Sequence, residues 1–268
     1  MKSLEVLQTD KTTFSIGQAI SDGWNMVSKN MGYYILGGLL AVVIGILVGI
    51  VPIVGGIVNN LILSPCFAAS AVYISWRISK GIAWTDFGDV FKGFTYLGPI
   101  IISTLIQAVA MAVLVVLCFF NYIPQIKDFF ELTKSTDAFN NRAAIEAMVQ
   151  QFFNLETIGL FLLMILALLL LSVVWAFKNH FIVIYNLQAW QAMEMSRKIT
   201  THNLLPLIGL FLLLGVIILI SALPCGIGLL FSLPLSITAV YSAFAQITES
   251  NATEIDSEMF DFVQDEQA

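Results

Sequence analysis

Any chemistry this chain performs has to come from a few polar residues set in apolar sequence. Asn59, Asn60 and Ser64 fall in one apolar run and Gln107 in another. Hydrocarbon cannot satisfy an amide or hydroxyl, so such groups must face other helices or a water-filled cleft. Two readings follow from residue type alone. Asn59, Asn60, Ser64 and Gln107 form a candidate polar pocket or substrate path, or they make interhelical hydrogen bonds worth about 0.6 kcal/mol each.

The other reactive residues give less. The histidines, His180 and His202, number two in the chain and fall in one connection. Two imidazoles without carboxylate or thiolate company do not complete a zinc or haem ligand set, and amphipathic rings suit a membrane edge. The three cysteines, Cys66, Cys118 and Cys225, lie in or beside apolar segments without CxxC spacing and read as small buried hydrophobes. Walker, GxSxG and HExxH patterns are missing, as is a GxGxxG following a strand. A four-histidine iron oxygenase is excluded by counting. No ionisable residue falls in the central part of any long apolar run, which argues against pumps, voltage sensors and ion-coupled carriers. No catalytic residue, metal or cofactor is assigned, and the chain is not expected to be an enzyme.

What would position these residues is a set of membrane spans. The 268 residues are 58% hydrophobic and 11% charged, against roughly 25% charged in an ordinary soluble domain. Uncharged blocks place spans at about 33–51, 57–76, 100–120, 158–177, 204–223 and 229–247. The fold expected is an all-α membrane protein, six transmembrane helices in three hairpins with interfacial amphipathic helices. Residues 1–31 form a cytoplasmic N-terminus ending in such a helix, with Ile16, Ala19, Ile20, Gly23, Trp24, Val27 and Met31 on one face. Ser15 and Gln18 have capping-box spacing there. Phe87, Val90, Phe91 and Phe94 mark a second amphipathic helix. Ala189, Ala192, Met193, Ser196 and Ile199 mark a third. The long connection 121–156 carries two more short patterns, around Ile126–Phe130 and Ile145–Phe152. Tyr33–Val51 is expected to act as an uncleaved signal anchor.

The first span carries a small-residue stripe, Gly37, Ala41, Gly45 and Gly49, where another helix can approach closely. The tight turn Pro52–Gly56 delivers the second span beside it, so the stripe is expected to face that span. The second span, with its asparagines, serines and Pro65, reads as the least hydrophobic. Counting Lys and Arg puts nine on the side of the N-terminus and three, Lys127, Lys134 and Arg142, on the other. That asymmetry places both termini in the cytoplasm.

The ends of the chain resemble each other. Ala19 to Asn30 and Ala192 to Asn203 are both eleven residues; Asn30 to Pro52 is 22 and Asn203 to Pro224 is 21. Each proline opens a Pro-x-x-x-Gly turn, and each returning span holds Ala-Val-Tyr, at Ala71–Tyr73 and Ala239–Tyr241. A parallel internal repeat is expected. Residues 248–268 hold seven of the 18 acidic residues and read as a disordered tail, with Phe260, Phe262 and Val263 a candidate docking motif for another protein. No basic surface offers itself to nucleic acid.

Four motifs carry a family resemblance: F-S-I-G-x-A-(x)4-W from Phe14 to Trp24, the Pro-x-x-x-Gly hairpin, F-(x)2-V-F-x-G-F from Phe87 to Phe94, and A-M-E-M-S-(x)6-N from Ala192 to Asn203. Over most of residues 14–246 the chain resembles a poorly characterised group of bacterial polytopic inner-membrane proteins, similar to the membrane domain of some glycerophosphodiester phosphodiesterases. The resemblance implies a multi-pass bacterial inner-membrane protein. The soluble phosphodiesterase barrel has no counterpart here, so that activity does not carry over. The function expected is a non-enzymatic scaffold, assembly or lipid-associated protein whose partners are membrane lipids; the alternative is a permease for a neutral or amphiphilic small solute.

Overall fold

The computed structural model describes Leu7 and residues 12–82, 84, 86–123, 127, 131, 154–223, 226 and 228–248. Among these residues every regular element is helical. Helix α1 (Ile16–Lys29) bends at Asn30 into α2 (Met31–Gly49). A turn leads to α3 (Val54–Val58), a π-helical segment (Asn59–Leu63) and α4 (Ser64–Ser79), which together make one long run. A 3₁₀ helix (Phe87–Tyr96) continues into α5 (Leu97–Phe119). Then come α6 (Leu155–Val174), α7 (Lys178–Tyr185), α8 (Ala189–His202), α9 (Leu204–Ala222) and α10 (Leu229–Thr248). Six stretches among the described residues are long and apolar enough to span a bilayer.

Contacts divide the chain into two units, Met1–Thr104 with Val173–Ala268, and Leu105–Ser172. In the first unit the core element is α10. It packs on α1, α9, α4 and α2, and 61% of its apolar window is buried, against 11% for α2. The most apolar windows of the sixth and second spans have mean hydropathies of 1.4 and 1.6, the two lowest of the six. The reason is physical: a helix surrounded by other helices needs small and hydroxyl side chains for close approach, whereas one facing lipid must be apolar. Ser232, Thr238, Ser242 and Thr248 of α10 are all buried.

Helix α1, the 3₁₀ helix and α8 each seat on a span through a small residue. On α1, Ala19 and Gly23 are buried against α10, Val27 joins Tyr34, Ile74, Trp84 and Val90, and Thr238 Oγ1 donates to Gly23 O at 3.1 Å. In the 3₁₀ helix, Gly93 lies on α4 and its N–H donates to Ser70 Oγ at 2.8 Å. On α8, Ser196 Oγ accepts from Phe177 N at 3.1 Å and donates to Val174 O at 2.9 Å. Trp24 is 44% exposed and Trp190 68%. The capping box at α1 forms by half. Ser15 accepts from Gln18 N, but the Ser15 N–H goes to Gln246 Oε1 of α10 at 3.0 Å instead of to Gln18.

The two ends of the chain match closely in geometry. Helices α1 and α8 are each 14 residues long, and α2 and α9 are each 19. The hinge residues have φ, ψ of −126°, 25° at Asn30 and −114°, 22° at Asn203. Both asparagines turn their amide back to the carbonyl four residues earlier, Asn30 to Met26 O at 3.1 Å and Asn203 to Ile199 O at 3.2 Å.

The turn after α2 holds Ile53 at φ 63°, ψ −61°, with Val54 N bonded to Pro52 O at 2.7 Å. This is a γ-turn with a β-branched residue in left-handed space. Replacing Ile53 by glycine should raise thermal stability by about 1 kcal/mol, measurable as a higher unfolding temperature in detergent. Of the second such turn, Pro224, Cys225 and Ile227 lie outside the described residues.

In the second unit, Asn154 Oδ1 accepts from Thr157 N at 2.7 Å, which caps α6. Thr157 Oγ1 donates to the Tyr122 hydroxyl at 3.3 Å, and Ser172 Oγ returns to Leu168 O at 2.8 Å. The amphipathic patterns expected around Ile126–Phe130 and Ile145–Phe152, and the acidic tail, lie outside the described residues.

Candidate functional site

The groove that could hold a ligand runs along α2 in the first unit. One part is a cavity of about 410 Å³, within the range of about 300–1,000 Å³ typical of ligand pockets. Helix α2 contributes Tyr34, Gly37 and Ala41; α4 contributes Phe67, Ala71 and Ile74; α10 contributes Leu233, Pro234 and Ile237. A second hollow of about 440 Å³ lies among Ala41, Gly45, Ile46, Asn59, Ser64 and Phe67. The two share Ala41, Ser64 and Phe67.

The Asn30 end is closed by aromatic rings. Trp84 packs edge-on to Tyr34, with centroids 5.6 Å apart, and tilts against Tyr33 at 5.4 Å. Its indole N–H is fixed on Asp86 O at 2.8 Å, and the Tyr34 and Ser75 hydroxyls are 3.3 Å apart. Gly37 makes this closure fit, since a Cβ there would stand 3.1 Å from the Trp84 ring.

The other end is shaped by the π segment. Pro65 has no N–H, and its ring crowds the carbonyl four residues earlier; widening the preceding turn to i→i+5 bonding relieves that clash. Ser64 N accordingly bonds to Asn59 O. Five residues apart on an α-helix, Asn59 and Ser64 would point about 140° apart. The wider turn brings both to one hollow. Asn59 Oδ1 lies 3.2 Å from where a Gly45 Cβ would be. Asn59 and Ser64 have no side-chain hydrogen-bond partner among the described residues.

The candidate pocket residues therefore separate. Asn59 and Ser64 line the groove together. Asn60 donates to Gly56 O at 2.8 Å, a bond within its own helix. Gln107 belongs to the other unit and is not among the groove residues. Of the stripe, Gly37 meets Trp84 and Val90, Ala41 lines the groove, Gly45 meets Asn59, and Gly49 lies 3.1 Å from the Cβ position of Gly55. The sequence reading did not single out Tyr34, Phe67, Trp84 or Pro234. The one signal available was Pro234 inside the sixth span, where it removes a helix hydrogen bond and opens the wall.

The histidines do not form a joint site. His180 is buried among Phe177, Phe244 and Tyr241, with ring centroids 5.6, 4.9 and 6.3 Å away, and neither ring nitrogen has a partner. His202 is exposed at the end of α8. His180 is thus a core residue. Lys178 is also buried, its Nζ 3.5 Å from Thr104 Oγ1. Among the described residues no group of three or more His, Cys, Asp or Glu could hold a metal. Cys66 and Cys118 are free thiols. Asp89, buried at the 3₁₀ helix, is paired with Arg77 at 2.5 Å.

The helices and the groove define an all-α polytopic membrane protein. Comparison with family models, curated proteins and solved structures returned no match.

Proposed function

We propose that this is a non-enzymatic, lipid-associated protein of the bacterial inner membrane that holds a membrane amphiphile between its first, second and sixth spans. The observation that carries this reading is the groove from Tyr34 to Ile46, apolar through most of its length and built at the depth of the spans. The excess of Lys and Arg on one side supports cytoplasmic termini. The matching helix–hinge–helix units of α1–α2 and α8–α9 support an internal duplication. Placing Trp24 and Trp190 at headgroup depth suits amphipathic helices on the cytoplasmic side.

The test is lipid retention. Protein extracted in mild detergent should carry an amphiphile in native mass spectra, and Ala41→Leu, which fills the groove, should remove it. Equal retention by both proteins would contradict the reading. A permease for a neutral or amphiphilic solute is the second reading, favoured by the unpaired amide of Asn59. It predicts that Asn59→Leu reduces solute uptake into vesicles, an effect a purely structural groove would not show.

A further inference from the structure

The two ends of the groove differ in chemistry, and that difference specifies the ligand. At the Asn30 end the walls are rings and aliphatic side chains, and the Trp84 and Tyr34 polar atoms are already bonded. At the Pro52 end, Asn59 offers an amide and Ser64 a hydroxyl, both without partners and both facing one hollow. An unpaired amide away from water costs free energy that a ligand's oxygen can recover. The residues around the groove carry no charged side chain, so an ionised headgroup inside it would lose its water without gaining a counter-charge.

We infer that the groove binds a neutral single-chain amphiphile, with its hydroxyl- or ester-bearing end on Asn59 and Ser64 and its hydrocarbon chain running toward Trp84. This rests on the lipid-holding reading above and adds to it the class and direction of the ligand. The dimensions suit one chain. Asn59 sits over Gly45 and Trp84 over Gly37, eight residues apart on α2 and so about 12 Å. That is comparable with one leaflet of hydrocarbon, half of a core about 30 Å thick. The π segment is what makes the polar end, because a regular α-helix would turn Asn59 and Ser64 to different sides.

The experiment measures equilibrium binding of radiolabelled 1-monooleoylglycerol and radiolabelled hexadecane to the purified full chain in detergent. The wild-type protein should bind both and prefer the monoacylglycerol by about tenfold, the gain expected of two modest hydrogen bonds. Asn59→Leu combined with Ser64→Ala should abolish that preference while hexadecane binding persists. Asn60→Leu, which alters a bond internal to the helix, should leave the preference unchanged. Ala41→Leu should abolish binding of both probes. If the Asn59/Ser64 double variant keeps the preference, or if oleate or dioleoyl phosphatidylglycerol binds more tightly than the monoacylglycerol, the inference is overturned and the groove remains. If Ala41→Leu binds both probes normally, the groove itself is not the binding site.

Discussion

Gly93→Val is expected to abolish folding, with little monodisperse protein recovered after extraction. Gly93 sits where the 3₁₀ helix presses on α4. A Cβ there would overlap the Cys66 carbonyl and stand 2.7 Å from both the Ser70 nitrogen and its Oγ. Two of those atoms are backbone and cannot rotate away, so the helices must separate. Overpacking typically costs about 1–3 kcal/mol, more when backbone has to move, and this contact lies at the upper end. Separation would also strip the Gly93 N–H from Ser70 Oγ, leaving a buried donor unpaired. Ser70→Ala isolates that second cost, expected to be about 1–3 kcal/mol. A Gly93→Val protein that melts within a degree or two of wild type would show that the 3₁₀ helix does not dock in this way.

The second large effect is Gly23→Val, which should release α1 from α10. The added Cβ would lie 2.7 Å from Ala239 N and 2.9 Å from its Cα, again backbone atoms. The Gly23 carbonyl also accepts from Thr238 Oγ1, and α1 is held at its start by Gln246. Because α1 and α10 stand near opposite ends of the sequence, this contact joins the ends of the chain. The spans should still insert, since insertion depends on their hydropathy. The expected result is a cost of about 2–3 kcal/mol, with residues near Gln18 newly open to protease. Thr238→Val, which removes only the hydroxyl, should cost about 1 kcal/mol. Unchanged protease resistance in Gly23→Val would contradict the docking.

The spans were legible because hydrocarbon admits only apolar helices, and six uncharged runs leave little choice. The read boundaries 33–51 and 100–120 became Met31–Gly49 and Leu97–Phe119, shifts of a few residues. What sequence could not rank was centrality. The glycine stripe of α2 has its close backbone contact at Gly49, beside Gly55 of the same hairpin, whereas Gly23 and Gly93, in helices that read as membrane-surface elements, meet the backbone of α10 and α4. A glycine's importance depends on what stands opposite, which for Gly23 is Ala239, 216 residues away. Gly45 shows the converse. Its neighbour is the tip of Asn59, a side chain that can move, so a substitution there should redirect the amide rather than unfold the chain.

Half of the polar set was legible for a similar reason. Asn59 and Ser64 stood out as polar residues at membrane depth, but their convergence depends on the π segment, which Pro65 induces and periodicity at 3.6 residues does not register. Asn60 looked equivalent to Asn59 and proves to be tied to Gly56 O. Gln107 belongs to the other unit. The aromatic closure by Trp84 depends on a connection that carries no regular pattern.

The direction of the bound chain is the central claim, and Trp84 reports on it. It is 4% exposed, hence shielded from bulk detergent, and it lines the groove at the end away from Asn59. In a protein whose other tryptophans are replaced by phenylalanine, Trp84 emission would be recorded with monoacylglycerols brominated beside the glycerol or further along the chain. The account predicts strong quenching by bromine far from the glycerol, weak quenching by bromine next to it, and loss of both in Ala41→Leu. Quenching that is strongest from the glycerol end, or that persists in Ala41→Leu, would contradict it.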